Sequence, residues 1–269
     1  MYENLKIFSY DENFFQYSDI INAIKQSGIN LGDYVFLHSD VTKFGRLEDI
    51  KDKNLFNQVF LDACLECVGE NGHLIIPTFS YSYGDRFSAK KFFDVDQTPS
   101  ILNPLTEIAR HNKDFSRTIE PMLSVVIKGP NSDELVREIS ENCLGSGSIW
   151  ERLLDINTNN LLLGFKFDTT MLHYIENIFQ VPYRKNIVLS GILKTKHGEK
   201  NYSVNYFAHD RSFKIDYSRE KLYKKCISTN SLSEVKLGAG SIMNISSKNL
   251  YENCRQLLQN DPFGLVQKL

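Results

Sequence analysis

The sequence predicts an α/β fold: a mixed central sheet flanked by helices, with an antiparallel section in the C-terminal third. Three observations point there. Strand-like and helix-like patterns alternate through the first two-thirds of the chain. The strand at 73–79, "HLIIPTF", has an almost wholly apolar middle, which suits a strand covered on both faces. After about residue 185 the pattern changes to strict alternation around a glycine turn, the mark of an antiparallel hairpin.

The elements follow in order. Residues 17–29 open with Ser18 as the expected cap and run apolar at Ile20, Ile21 and Ile24 at helical spacing. "DYVFLHS" (33–39) is a strand. "NLFNQVFLDACLECV" is a helix, expected to close at Gly72, and it leads into the strand at 73–79. Residues 80–100 are irregular and aromatic, a candidate lid or substrate loop. A short helix over 103–112, a strand over 123–129, a helix over 146–156 capped by Ser146 or Ser148, and a strand over 160–165 come next. A helix over 169–179 is followed by the hairpin with Gly198 at its turn. Two further helices, "SREKLYKKCISTN" and "SSKNLYENCRQLLQN", enclose the β run "SEVKLGAGSIMNI". No repeat or linker divides the chain, so one domain over 1–269 is expected; residues 190–269 are either a lobe of it or an extension of its sheet.

The 269 residues are 42% hydrophobic, with 13 Tyr and 18 Phe, enough for a sizeable core. A formal net charge of −2 gives no basic excess for nucleic acid or an anionic membrane. The N-terminal segment lacks a basic region followed by an apolar run, and no stretch has the roughly 18 apolar residues of a membrane span. A soluble, cytoplasmic protein is expected. The five cysteines, Cys64, Cys67, Cys143, Cys226 and Cys254, form no disulfide framework. Cys64 and Cys67 sit inside a helical pattern and read as core.

Chemistry concentrates in "MLHYIENIFQVPYR" (171–184). His173 and Glu176 are three residues apart and share one helix face. A carboxylate there holds an imidazole tautomer, and an imidazole is suited to take a proton near neutral pH. From spacing alone, a solvated polar pair is the commoner outcome. His38 ends a strand and is followed by Ser39, at the strand end where open sheets bind ligands. It is a candidate donor to a developing oxyanion or, equally, a histidine bonded to backbone. "GSGS" (145–148) has neither a phosphate-loop nor a dinucleotide spacing and reads as a helix cap. The His-x-x-Glu spacing is not that of a zinc site, so no metal is expected.

Four segments, taken together and in order, resemble the aminoglycoside 3-N-acetyltransferase family: "GDYVFLHSDVTKFG", "GHLIIPTFSY", "RTIEPMLSVVIKG" and "GSGSIWERLLDINTNNLLLGFKFDTTMLHYIE". The resemblance spans roughly 17–190. It implies transfer of an acetyl group from acetyl-CoA to an amine on a sugar-like ring. It also implies that His173 is the catalytic base, supported by Glu176 with Asp168 nearby, and that His38 is the strand-end histidine. Ser39, Lys43, Phe44, Gly45 and Ser124 are the implied cofactor-binding residues. Thr78, Tyr81, Glu120 and Arg184 are the expected substrate-side residues. Asp40 and Glu120 depart from the family pattern, which bears on the substrate rather than the chemistry. The candidate site segments carry Asp40, Asp85, Glu120 and Asp168, but also Lys43, Arg46, Arg86, Arg117 and Arg184. Those cations suit a phosphate-bearing ligand. The expected substrate is therefore a nucleotide-linked amino sugar of surface-glycan assembly, with an aminoglycoside as the alternative. The partner is a small molecule, and a homodimer is compatible with the sequence.

Overall fold

The structure is a computed structural model that describes residues 2–84 and 90–269. Asp85 and Arg86 lie outside the described residues.

A seven-stranded mixed sheet organises the chain. Across it, in spatial order, run Ser233–Leu237, Gly240–Ser246, Asn159–Leu163, Tyr34–Ser39, His73–Pro77, Val125–Lys128 and Ser116–Arg117. The Tyr34–Ser39 strand is parallel to both its neighbours, with Phe36 opposite Ile75 on one side and His38 opposite Leu162 on the other. The outer strands are antiparallel. Residues 233–246 thus extend the main sheet, with Ile242 opposite Leu163.

Period-two alternation sends successive side chains to opposite faces, and both faces are buried. Val35, Leu37, Leu74, Ile76, Leu161 and Leu163 enter one core. Phe36, Ile75 and Leu162 enter the other. The first core is covered by the helices Tyr17–Gln26, Lys53–Val68 and Pro104–His111, through residues such as Ile24, Phe60 and Leu105. The second is covered by Ile149–Asp155, Met171–Ile178, Glu220–Ser228 and Ser247–Asn260, through Trp150, Leu172, Cys226 and Leu250. Cys64 and Cys67 are buried in the first core.

Caps define the helix ends, and some differ from the sequence expectation. The first helix starts at Gln16 rather than Ser18; the Asp19 carboxylate accepts from the Gln16 N–H at 2.7 Å. The second helix is capped by Asp52, which accepts from Asn54 and Leu55, and it ends at Gly69 rather than Gly72. Ser148 caps Ile149–Asp155. Part of the 80–100 stretch is not irregular: Phe92–Asp94 pairs in parallel with Arg184–Thr195. That strand also forms a twelve-pair hairpin with Gly198–His209. Short strands at Phe8–Tyr10, Asn13–Phe15 and Arg46–Leu47 form a small antiparallel sheet that the sequence pattern does not announce.

Candidate active site

The parallel strands Tyr34–Ser39, His73–Pro77 and Asn159–Leu163 all end on the same edge of the sheet. The central one connects to neighbours on opposite sides, a switch point where open sheets leave a crevice. A cleft of about 450 Å³ lies there. His38, Ser39 and Asp40 line it from the first strand end, Pro77 and Phe79 from the second, and Phe165 and Asp168 from the loop after the third. Gly164 makes that loop possible. Its φ is +61°, and a Cβ there would meet the Asp40 carbonyl oxygen at 2.4 Å.

His173 reaches the cleft from the helix Met171–Ile178. Leu172 and Ile175 anchor that helix in the core, which turns His173 and Glu176 to the face between core and cleft. Its start is tied to the sheet. Thr169 Oγ1 donates to Asn160 at 2.9 Å, and the Thr170 N–H donates to His38 Nε2 at 3.3 Å. His38 therefore accepts at Nε2, so the neutral ring carries its proton on Nδ1. Burial pushes its pKa down from 6.5 to about 4, with Asp168 opposing and His173 assisting.

His173 Nδ1 stands 2.8 Å from Glu176 Oε2. Glu176 is fully buried. Its Oε1 accepts from Arg219 Nη1 at 3.0 Å and from the Tyr183 hydroxyl at 3.1 Å, and its Oε2 contacts Arg184 Nε at 2.6 Å. Burial alone would raise this carboxyl, but Arg219, His173 and Arg184 hold it well below the usual carboxylate range. Glu176 is thus an anion at any physiological pH. Burial, followed by Arg184, pushes His173 below the ordinary imidazole value, against the pull of Glu176. An imidazole with a fixed carboxylate at Nδ1 and about a quarter of its side chain open to solvent is arranged to accept a proton at Nε2. Asp168, which the sequence placed beside the histidine, is joined to Arg219 Nε at 3.2 Å and borders the cleft.

The chain geometry accounts for the density of functional groups in "MLHYIENIFQVPYR". The helix ends at Ile178, Gln180 turns with φ +45°, and Pro182 bars further helix. The chain doubles back, so Tyr183 and Arg184 return to the same carboxylate. Arg219 went unread in the sequence. It lies 43 residues beyond Glu176, and no local pattern marks it. The one available signal was indirect: a buried carboxylate requires cations from elsewhere in the chain.

Other sequence-picked residues lie elsewhere. Phe44 is wholly buried and stacks on Phe60 at 5.2 Å in the core. Gly45 serves a close approach, where a Cβ would sit 2.2 Å from the Ser9 carbonyl. Ser124 is buried; it donates to the Thr78 carbonyl at 2.8 Å and accepts from Arg117. Thr78 is also buried and bonds to Ser124. Glu120 is buried, where burial raises its pKa; it accepts from the Met122 and Leu123 N–H groups and from the Cys143 thiol, and so fixes a loop. Arg184 belongs to the Glu176 cluster. Arg117 donates to the carbonyls of Val95, Thr98 and Thr78. Tyr81 is half-buried with φ +48°, and its N–H donates to the Met122 carbonyl. Of the proposed cofactor residues, Ser39 lines the cleft and Lys43 is exposed beside it, 3.8 Å from Asp40.

Among the described residues, no group of three or more His, Cys, Asp or Glu is placed to hold a metal ion. No helix among them is long and apolar enough to cross a membrane.

The family described as aminoglycoside 3-N-acetyltransferase matches residues 36–259. No curated protein matches the sequence. Among solved structures, aminoglycoside acetyltransferase AAC(3)-Xa superposes with a TM-score of 0.77 at 19% identity, covering 93% of each chain. AAC-IIIb in a binary complex with CoASH gives a TM-score of 0.75 at 18% identity, over 91% of this chain and 96% of that one. AAC-VIa bound to sisomicin gives 0.75 at 19%, over 91% and 98%. At these identities the structures establish a shared fold. The match over most of the chain establishes the family: the chain belongs to the aminoglycoside 3-N-acetyltransferase family and is an N-acetyltransferase of the CoA-dependent kind.

Proposed function

We propose that this family member acetylates an amine of a multiply charged, aminoglycoside-type amino sugar, with acetyl-CoA as donor and His173 as general base. One observation carries the choice of substrate. The cleft beside His173 is bordered by Asp40 and Asp168, and no lysine or arginine is among its described lining residues. Such a site favours cations over phosphates. The phosphate-bearing reading drew on Lys43, Arg46, Arg86, Arg117 and Arg184; Arg86 lies outside the described residues, and the Arg117 and Arg184 guanidiniums are engaged inside the protein. Lys43 and Arg46 remain outward-facing; Lys43 is close enough to the Ser39–Asp40 rim to meet a cofactor phosphate. A solved neighbour bound to sisomicin and another bound to CoASH share this fold, which supports the pairing of ligands.

The reaction balances on residues of this chain. Asp168 and Asp40 attract the charged substrate, one of whose amines is neutral when it attacks. The amine nitrogen forms the C–N bond to the thioester carbonyl carbon. His173 Nε2 takes the proton from that nitrogen, and Glu176 stabilises the imidazolium through Nδ1–H. The C–S bond then breaks, and the proton passes to the departing thiolate. His38 accepts from the Thr170 N–H and so fixes the start of the His173 helix; its Nδ1–H would donate to the oxyanion.

Thiol release from acetyl-CoA, measured against one panel of aminoglycosides and one of nucleotide-linked amino sugars, tests this reading. Turnover on the aminoglycosides, without inhibition by uridine diphosphate, is expected. Turnover confined to the nucleotide-sugar panel would overturn the substrate assignment.

A further inference from the structure

Glu176 has more partners than a supporting carboxylate needs, and one of them also touches the imidazole. Arg184 Nη2 stands 2.7 Å from His173 Nδ1, its Nε 2.6 Å from Glu176 Oε2, and its Nη1 donates to the Phe207 carbonyl at 2.9 Å. One guanidinium therefore straddles the His173–Glu176 pair. The two contacts at Nδ1 make opposite demands. Glu176 accepts a hydrogen from that nitrogen, and with Nδ1–H directed at the carboxylate, Arg184 Nη2, itself only a donor, meets the ring as an opposing positive charge and not as a hydrogen-bond donor. Arg184 has no route to a ligand, since its side chain is 4% exposed and the Tyr217 ring lies 5.5 Å from its guanidinium carbon.

We propose that Arg184 is a positioning residue for the acetyl transfer: clamped on Glu176 Oε2 and set against Nδ1 of His173, its guanidinium holds the carboxylate in place and opposes a second proton on the ring, so that the resting ring stays neutral and ready to take the amine proton at Nε2. This inference rests on the reading of His173 as the base. The charged and titratable groups around the ring come from several elements. Glu176 lies on the same helix, Asp168 precedes it, and His38 ends the adjacent strand. Arg184 begins the hairpin strand, while Tyr217 and Arg219 lie ahead of the Glu220–Ser228 helix. Of these, Arg184 is the cation in contact with the ring itself. Its removal leaves Glu176 held by Arg219 and Tyr183. The ring then keeps its carboxylate and loses an opposing cation, so it protonates more readily.

Two substitutions separate positioning from scaffolding. Arg184→Met removes charge and donors; Arg184→Lys keeps a charge but loses the fork. The acid limb of kcat/KM against pH is expected to move up by about one unit in Arg184→Met and to stay near the parent position in Arg184→Lys. The His173 ring is titrated in parallel by nitrogen NMR, assigned through His173→Asn, and the same upward movement is expected there. A ring titration that moves while the activity limb does not would sink the base reading, and with it the catalytic role of Arg184, leaving only the effect of Arg184 on the ring. A ring that titrates at the same pH in parent, Met and Lys forms would overturn the inference, whatever the loss of rate. Should Arg184→Met not fold, Arg184→Gln, which keeps donors for Glu176 but no charge, takes its place: the same upward movement of the ring titration is expected, and an unmoved ring would overturn the proposal.

Discussion

Replacing His38 with glutamine should make the protein less sensitive to acid, even though it removes a residue at the site. In the folded protein burial pushes the His38 pKa from 6.5 to about 4. In the unfolded chain the ring titrates near its ordinary value of about 6.5. A depressed folded value means that the neutral ring is accommodated and the cation is not. Stability is therefore whole above the unfolded value and falls as pH drops from about 6.5 towards 4, because only the unfolded state binds the proton. Integrated down to about pH 4.5, the loss from this one group is roughly 2.5 kcal/mol. His38→Gln removes that loss while keeping an acceptor for the Thr170 N–H. Urea unfolding followed by the fluorescence of the single tryptophan, at about pH 8 and about pH 4.5, gives both differences. Carboxylates and the other histidines contribute to both proteins and cancel. The parent should lose roughly 2.5 kcal/mol more than His38→Gln on acidification. Equal losses would refute the argument that burial keeps His38 neutral.

Other substitutions test other parts of the account. Glu176→Gln leaves Arg184 and Arg219 buried with one fewer anion, and should destabilise the protein by about 3–5 kcal/mol in urea titrations. Phe44→Ala should cost about 3–5 kcal/mol of stability, because the ring is packed in the core. In the fraction that stays folded, the KM for acetyl-CoA should remain within about twofold, since the ring has no exposed surface. Asp40→Asn should raise KM for a multiply charged amine while leaving kcat nearly unchanged, and the effect should shrink with added salt.

The main sheet was legible because each of its central strands is an uninterrupted apolar run, and both faces of the sheet are buried, as such runs require. The hairpin around Gly198 was legible from its alternation. Short strands such as Phe8–Tyr10 and Arg46–Leu47 were not, since two or three residues carry no period and their pairing is set by distant segments. At the site, strand-end position pointed to His38, and helical spacing pointed to His173 and Glu176; these are local signals. What surrounds Glu176 is not local. Arg219 arrives from a different part of the chain, and the role of Arg184 depends on a turn that folds it back under the helix. Residue type alone does not show burial. Glu120, Ser124 and Thr78 have side chains that bind ligands well, and each is buried and bonded within the protein. Arg117 and Arg184 read as phosphate ligands for the same reason, and their partners prove to be carbonyls and a carboxylate of the protein itself.

The central claim is acetyl transfer to a cationic amine with His173 taking the proton. Thiol release from acetyl-CoA, measured at saturating aminoglycoside for the parent and for His173→Ala, tests it most directly. With the variant shown to be folded by its unfolding curve, kcat should fall by about 10²–10⁴-fold. A folded His173→Ala that retains near-parental turnover would contradict the claim.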